Sequence, residues 1–565
     1  MDRIWTKHYP AGVPAEVDIH QYSSVVELLE EGFEKHRGKQ AYVLADKTLT
    51  YNDVDRLSLD LAIYLQALGL RHGDRVAVML PNVLQYPIAT AAILRAGFII
   101  VNVNPLYTTR ELEHQLRDSG ANTIIILEQF AATLEHIVKK TAIKNVVLAG
   151  QGDLLESSSA EDTNQLAEHS GLPNTVRFNK AIAIGHLGTL VKPQIEPDDI
   201  AVLQYTGGTT GVSKGAVLQH RAIIASVLIH DVWLDVGFTK EENSEQRAVL
   251  CALPLYHIFA FIMCGMLAMR WGSLNVLIPN ARDIPVVVKE IARHKVHCIP
   301  GVNTFFKALT NDPNFAEVDF TNLQLSIAGG MAADRAVARK WLEITGCSIT
   351  EGYGLSETSC AIVCNLADSQ RFTDTIGLPF PNTDIRLIDD NGDDVAFGKT
   401  GEIAIRSPQV MAGYFNRPDE TKAAMTADGF FKSGDIGSMD EQGYIKIVDR
   451  KKDMILVSGF NVFPSEIESV AVLHPAIRDC AAVGIPDERS SEAVVLFAVR
   501  SDPTLTEEEL RSFCARSLTG YKRPKYIQFC TDLPLSNVGK VLRRQLRDEA
   551  VSRMHDSASE LSRSA

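Results

Sequence analysis

The stretch Tyr205-Thr206-Gly207-Gly208-Thr209-Thr210-Gly211-Val212-Ser213-Lys214-Gly215 comes directly after the apolar strand Ala201 to Leu203. Glycines let the main chain bend tightly and bring its N–H groups up to an anion, while the threonine hydroxyls and the lysine add further donors. A run of this composition at the end of a buried strand is suited to holding a polyphosphate. It is not a Walker A loop, which needs Gly-Lys-[Ser/Thr], because Lys214 here stands between Ser213 and Gly215. A P-loop ATPase is therefore disfavoured, and the competing reading is a flexible Gly/Thr turn.

On either side of this loop, short aliphatic runs alternate with helical periodicity. Ser24 and Glu27 have capping-box spacing ahead of Val25, Leu28, Leu29 and Phe33. A second helix carries Val54, Leu57, Leu61, Leu65 and Leu68 and stops at Gly69, and strands are predicted at Arg75 to Leu80, Thr123 to Leu127, Val146 to Leu148 and Ala248 to Ala252. Thr109 to Leu116 reads as a helix. This is an α/β pattern with strands buried on both faces. The polar stretch from Gly150 to Pro173, with Ser157, Ser158 and Ser159 in a row, reads as an exposed loop. A domain border is expected at Lys452, dividing a body of residues 1–451 from a lobe of residues 453–565. That lobe contains strands near Ala481 to Val483 and Ala493 to Val499 and a helix opened by Thr506 and Glu509, so it reads as α+β. The polar end, Ser552 to Ala565, is expected to fray.

A length of 565 residues and a mass of 62.1 kDa exceed what one hydrophobic core fills. With 70 acidic against 56 basic residues, the formal net charge of -14 argues against nucleic acid as the main partner. The basic runs Arg450-Lys451-Lys452 and Lys522-Arg523 with Lys525 read by charge alone as solvated surface. Nine scattered cysteines have no paired zinc spacing and read as buried reduced thiols. The N-terminus lacks a basic region followed by an apolar core, which predicts a cytoplasmic location. The most apolar run, Ile258 to Met269, stops at Arg270, short of the roughly 20 residues a bilayer needs. It reads as a buried helix, which limits membrane contact to the peripheral kind.

Further blocks come after the glycine-rich loop in order: Leu253-Pro254-Leu255-Tyr256-His257, Glu351-Gly352-Tyr353-Gly354-Leu355-Ser356-Glu357-Thr358, Ser433-Gly434-Asp435, Asp449-Arg450-Lys451-Lys452-Asp453, and Asn537-Val538-Gly539-Lys540. Together they resemble the motifs of the acyl-adenylate-forming superfamily, which includes acyl-CoA synthetases, luciferases and peptide-synthetase adenylation domains. Tyr107 to Leu116 and Gly301 to Lys307 are also similar to bacterial long-chain fatty acid-CoA ligases, so the resemblance spans nearly the whole chain. It implies a large multi-subdomain N-terminal body with a small mobile C-terminal lobe.

The same resemblance implies roles. Thr206, Gly207, Gly208, Thr209, Thr210, Gly211 and Lys214 hold the phosphates of ATP, and Thr206 and Glu357 hold Mg²⁺, a hard cation that takes oxygen ligands. By itself Glu357 reads as an ordinary surface acid. Gly352, Tyr353 and Gly354 meet the adenine, with the ring of Tyr353 offering a flat face. Asp435 and Arg450 resemble the pair on the ribose hydroxyls, against a structural salt bridge as the other reading of Arg450. Lys540 bridges the carboxylate and the α-phosphate during adenylation, Lys452 is the hinge, and Ser458 and Gly459 face CoA after the lobe swings.

Tyr256 and His257 line the acid pocket, although a core role is the default for a lone histidine. Phe261 takes the place of a gating tryptophan, and Leu456 stands where several relatives carry lysine. Phe430, Phe431, Lys432 and Ser433 likewise depart from the Trp, Leu, His and Thr of the fatty acyl signature. Gly329 and Gly330, among the small residues of Ala328 to Ala332, leave room for an acyl tail. The implied substrates are ATP, CoA and a long-chain, or medium-chain, fatty acid. A carrier protein as acceptor in place of CoA, and a binding protein without turnover, are the rival readings. Homodimers occur among relatives.

Overall fold

The computed structural model describes residues 3–154, 171–206, 213–238, 246–369, 372–487, 489–535 and 541–563, with side chains up to 553. Its contacts gather into two compact units. Of the described residues, one contains those up to 206, 213–384 and 406–431; the other contains 385–405 and those from 432 onward.

The first unit is built on two large sheets. In the seven-stranded sheet, Thr175–Arg177, Asn145–Ala149, Thr123–Leu127, Arg75–Met79, Ile99–Asn102 and Ile200–Thr206 run parallel, and Lys214–Gln219 closes it antiparallel. Thr123–Leu127 shows why: every residue of Thr-Ile-Ile-Ile-Leu is buried, as a strand with helices on both faces requires. In the nine-stranded sheet, Ile349–Leu355, Leu325–Ala328, Cys298–Gly301, Ala248–Cys251, Leu274–Leu277 and Gln40–Leu44 are parallel, with antiparallel strands at both edges. Trp341, Phe306 and Phe315 pack edge-on or tilted beneath this sheet, and the Trp341 indole N–H donates to Ser326 Oγ at 3.1 Å.

The second unit has a four-stranded sheet, Asp384–Ile388, Thr400–Arg406, Phe431–Met439 and Ile445–Arg450. It also has a five-stranded sheet of Phe460–Val462, Ile455–Val457, Ser491–Arg500, Ile477–Asp487 and Tyr526–Cys530. Helices Pro464–Ala471, Glu507–Ala515 and Arg543–Arg563 accompany it, which matches the expected α+β lobe. Thr506 and Glu509 form the predicted reciprocal cap.

Several local expectations are corrected. Ser24 accepts the N–H of Glu27, but the Glu27 carboxylate takes the N–H and hydroxyl of Ser23, so the box is not reciprocal. The helix predicted at Thr109 to Leu116 runs to Ser119, where left-handed Gly120 ends it. The run Ile258 to Met269 is buried as expected, yet Phe261–Leu267 winds as a π-helix between two short α-turns. The polar end belongs to the helix Arg543–Arg563, which no Gly or Pro interrupts, and the last two residues of the stretch expected to fray lie outside the described residues. Residues 155–170, most of the predicted polar loop, lie outside the described residues. All nine cysteines are free thiols, and eight of them are buried.

Candidate active site

Parallel strands buried on both faces have no polar surface to spare, so polar chemistry gathers where they end. In the first unit the motif blocks sit at the C-terminal ends of four parallel strands: Thr206 ends Ile200–Thr206, Leu253 to His257 comes after Ala248–Cys251, Gly329 and Gly330 come after Leu325–Ala328, and Glu351 to Glu357 extends from Ile349–Leu355. Thr206 is the register partner of Lys214, so the glycine-rich loop connects an antiparallel pair. Gly207, Gly208, Thr209, Thr210 and Gly211 themselves lie outside the described residues.

The turn Ser356–Thr358 packs on both strands that flank this loop. Glu357 is buried and accepts the Tyr414 hydroxyl at 2.8 Å, while its backbone carbonyl accepts Met411 N–H at 2.8 Å. Lys214 Nζ lies 4.6 Å from the centre of the Tyr414 ring and 2.5 Å from Glu420. Thus Tyr414 joins the predicted lysine and the predicted metal-site carboxylate. After the turn, Ser359 (φ 51°) and Cys360 (φ 107°) hold left-handed backbone conformations, which cost energy in a non-glycine residue. Hydrogen bonds offset the strain: Thr358 Oγ1 donates to Cys360 O at 2.7 Å, Ser359 Oγ to Gln409 O at 2.8 Å, and Ser226 Oγ to Ser359 O at 2.6 Å. Gly354 is obligatory here, because a Cβ would lie 1.9 Å from Cys360 O; at Gly352 the nearest atom is at an ordinary 3.6 Å. Tyr353 pairs with Val363 across the hairpin and is partly exposed.

The Leu253 to His257 block is pinned by a polar network that sequence reading missed. Buried Asn82 accepts Leu255 N–H at 2.8 Å and donates to the carbonyls of Cys251 and Leu253, both at 2.9 Å. Tyr86 donates to Leu255 O at 2.8 Å, and Gln204, two residues before Thr206, donates to Tyr256 O at 3.0 Å. The phosphate-loop strand is therefore tied directly to the Tyr256-His257 segment. Burial pushes the Tyr256 phenol up to about 12, so it stays neutral. His257 Nδ1 accepts Phe259 N–H at 3.4 Å and caps the next turn. The ring of Phe259 lies where a Cβ on Gly329 would be, 2.9 Å away, which brings the Gly329-Gly330 loop close to this block. Phe261 is fully buried.

In the second unit, Asp435 and Arg450 are register partners on adjacent strands, with Arg450 Nε 3.1 Å from Asp435 Oδ1. The ion pair weighed against a ribose role is thus present. Glu402 accepts Gly434 N–H at 3.1 Å and meets Lys451 Nζ at 3.0 Å, fixing the strand beside Asp435. Lys452 is exposed in the turn between the four-stranded and five-stranded sheets. Ser458 (φ 52°) and Gly459 (φ 83°) form the two-residue tip of a hairpin, and exposed Phe460 stacks on Tyr521 at 4.5 Å. Lys540 lies outside the described residues.

Residues 29–415 match the family model described as AMP-binding enzyme, and residues 466–540 match the AMP-binding enzyme C-terminal domain. The chain belongs to the AMP-binding enzyme family. As a member it is similar to the long-chain-fatty-acid–CoA ligase of Escherichia coli O157:H7, with 47% identity over 99% of this chain and 100% of that protein. A ligase of the same name from Haemophilus influenzae is 45% identical over 98% of this chain and 99% of its own length. Among solved structures, ATP-bound MatB from Rhodopseudomonas palustris superimposes with a TM-score of 0.81 at 27% identity, covering 93% of this chain and 98% of that one.

Tyr414, Asn82 and Gln204 were not singled out from the sequence, where the Gly-Tyr-Phe run at 413–415, a glycine-aromatic turn, offered the signal for Tyr414; Glu351 was quoted as the first residue of its block but given no role. Glu351 is buried and accepts Ala333 N–H at 2.7 Å, tying the strand to the loop that begins at Gly329. Burial is the main cause that raises its carboxyl from 4.5 to about 7, with Asp374 adding to it. The folded protein therefore holds a proton there that the unfolded chain has lost, and stability falls as pH rises from about 4.5 through 7. Glu351→Gln keeps an acceptor oxygen and cannot ionise. Denaturation midpoints at pH 5 and pH 8 should show the variant gaining on the parent at the higher pH, by on the order of 3 kcal/mol at most. Parallel pH curves for the two proteins would mean that Glu351 is ionised throughout.

Proposed function

We propose that this chain is a long-chain fatty acid-CoA ligase that also accepts medium-chain acids and works through an acyl-adenylate. The observation that carries this reading is the end-to-end similarity to proteins of that name, together with Thr206, Lys214, Glu357, Asp435, Arg450 and Lys540 standing at their motif positions. In the first half-reaction a carboxylate oxygen attacks the α-phosphorus of ATP, the bond to pyrophosphate breaks, and acyl-AMP forms. In the second, the CoA sulfur attacks the acyl carbonyl, AMP leaves, and the thiol proton passes to solvent.

Two anions must meet in the first step, so the site has to neutralise charge and hold them in line. Lys214 and the glycine-rich loop hold the β- and γ-phosphates, and Lys540 lies between the carboxylate and the α-phosphate as a point charge. Mg²⁺ supplies charge neutralisation on the phosphate oxygens when bound. The donor set fits it: Glu357 spends Oε1 on Tyr414, its second oxygen and the Thr206 hydroxyl are hard donors, and a cation with so few protein ligands takes the rest from phosphate and water. No group of three or more His, Cys, Asp or Glu side chains suited to a metal occurs among the described residues. Tyr353 and its neighbouring glycines meet the adenine, and Asp435 with Arg450 meets the ribose. His257, at the head of the acid pocket, faces the carboxylate end of the substrate.

The body of residues 1–451 and the lobe of residues 453–565 turn about Lys452, bringing Lys540 in for adenylation and Ser458 and Gly459 in for thioester formation. Among the described residues no helix is long and apolar enough to cross a membrane. The enzyme works in the cytoplasm, with peripheral contact at the inner face of the membrane, and homodimer formation is consistent with the family.

Incubation with ATP, Mg²⁺ and oleate, with and without CoA, is expected to give AMP and oleoyl-CoA in equal amounts only when CoA is present. Oleoyl-AMP with no thioester would favour a carrier-protein acceptor, and ADP or no nucleotide turnover with any acid would overturn the reading. Lys540→Ala is expected to slow adenylation by about 10²-fold or more while sparing conversion of preformed acyl-AMP and CoA. Equal loss in both half-reactions would remove Lys540 from its role. Lys452→Pro, which restricts the hinge, is expected to affect the two half-reactions unequally in the same paired assays.

A further inference from the structure

Behind the acid-pocket block lies a narrow apolar seam lined by Leu29, Tyr86, Leu255, Phe261, Met266 and Met269, among others. It has about 10 Å³ of free space, the room of roughly one water, so it is closed as it stands. Its wall can yield. Phe261–Leu267 is a π-helix, a rare winding that is frequent at functional sites. Gly265 within it faces open space, since a Cβ there would meet only Ala260 O at 3.9 Å. Met266 and Met269 are unbranched and adapt to shape more readily than other core side chains.

The seam ends where Met269 crosses the helix Val25–Lys35. Gly32 makes this crossing possible: a Cβ on it would lie 3.0 Å from Met269 Cγ and 3.6 Å from Met269 Sδ. On the far side of the same contact is a cleft of about 440 Å³ whose lining includes Gly32, Glu31, Lys35, Asp231, Arg247 and Arg270. Arg270 is held there by Asp231 at 2.6 Å and by the Tyr22 hydroxyl at 2.7 Å. Met269, which lines the apolar seam, thus packs against Gly32, which lines the charged cleft. Gly in a helix interior costs about 1 kcal/mol relative to Ala, and the close approach of Met269 gives a reason for keeping it.

Resting on the fatty-acid reading above, we infer that the acyl tail enters this seam past Phe261 and that the Gly32–Met269 contact marks its far end and sets the chain length the enzyme accepts. A tail that reaches Met269 can displace it only toward the charged cleft, where each further methylene leaves apolar surroundings. An alanine at 32 would push the methionine back into the seam; an alanine at 269 would open that contact.

The readout is the ratio of kcat/KM for octadecanoate to that for octanoate, measured on the full-length protein. Gly32→Ala is expected to lower this ratio and Met269→Ala to raise it for acids of 18 carbons and longer. Each shift should reach about tenfold, since burying one methylene is worth roughly fourfold in affinity. A second measurement uses the unaltered protein: a hexadecanoic acid carrying a diazirine at its ω-carbon, irradiated with ATP and Mg²⁺, is expected to label peptides containing Gly32 or Met269. Unchanged ratios in both variants, or labelling confined to other segments, would overturn the inference even though the parent enzyme still makes acyl-CoA. Failure of the parent to activate any fatty acid would instead strike the reading on which it rests.

Discussion

Parallel strands that are buried on both faces leave only their ends for polar groups, and the rest of this molecule is arranged around that constraint. The six parallel strands of one sheet and the six of the other are mostly apolar and buried, and the charged residues they carry, such as Arg75, Arg177 and Glu351, lie toward their ends. Glycine-rich and acidic segments consequently gather where the strands run out. Thr206, the Leu253 to His257 block, Gly329-Gly330 and the Glu351 to Glu357 block come from four strands far apart in sequence, yet each occupies the same kind of position in the fold.

Holding such ends in place takes more than the strands themselves. Asn82, Tyr86 and Gln204 spend buried hydrogen bonds on the backbone of residues 251–256, and Tyr414 joins Glu357 to the face over which Lys214 lies. Buried polar groups of this kind are costly unless fully partnered, so a network at the end of the strand Ile200–Thr206 acts as a rigid mount. The strained backbone at Ser359 and Cys360 fits the same pattern, because three hydrogen bonds hold it where the acidic turn needs it.

The second unit solves a different problem. Its motif residues sit on a strand pair and in turns: Asp435 opposite Arg450 on adjacent strands, Lys452 between two sheets, and Ser458-Gly459 at a hairpin tip. Turns can present polar groups to a ligand without opening a core.

Local composition and periodicity in the sequence determined the α/β class, the strand cores, the glycine-rich phosphate segment and the order of the motif blocks. Runs such as Thr-Ile-Ile-Ile-Leu at 123–127 can hardly be anything other than buried strand, and five glycines and threonines in succession after Thr206 announce an anion. They could not reveal the partners of Tyr414, Asn82 or Glu351, which lie 57, 173 and 18 residues away, nor that Asn82 and Glu351 are buried. Nor could they reveal that Phe261–Leu267 winds as a π-helix or that Gly32 meets Met269, since helical periodicity is silent about which neighbour a face will touch. Local pattern sets what each segment can form; long-range packing alone decides which side chains are buried together, and with them the shape of the pocket.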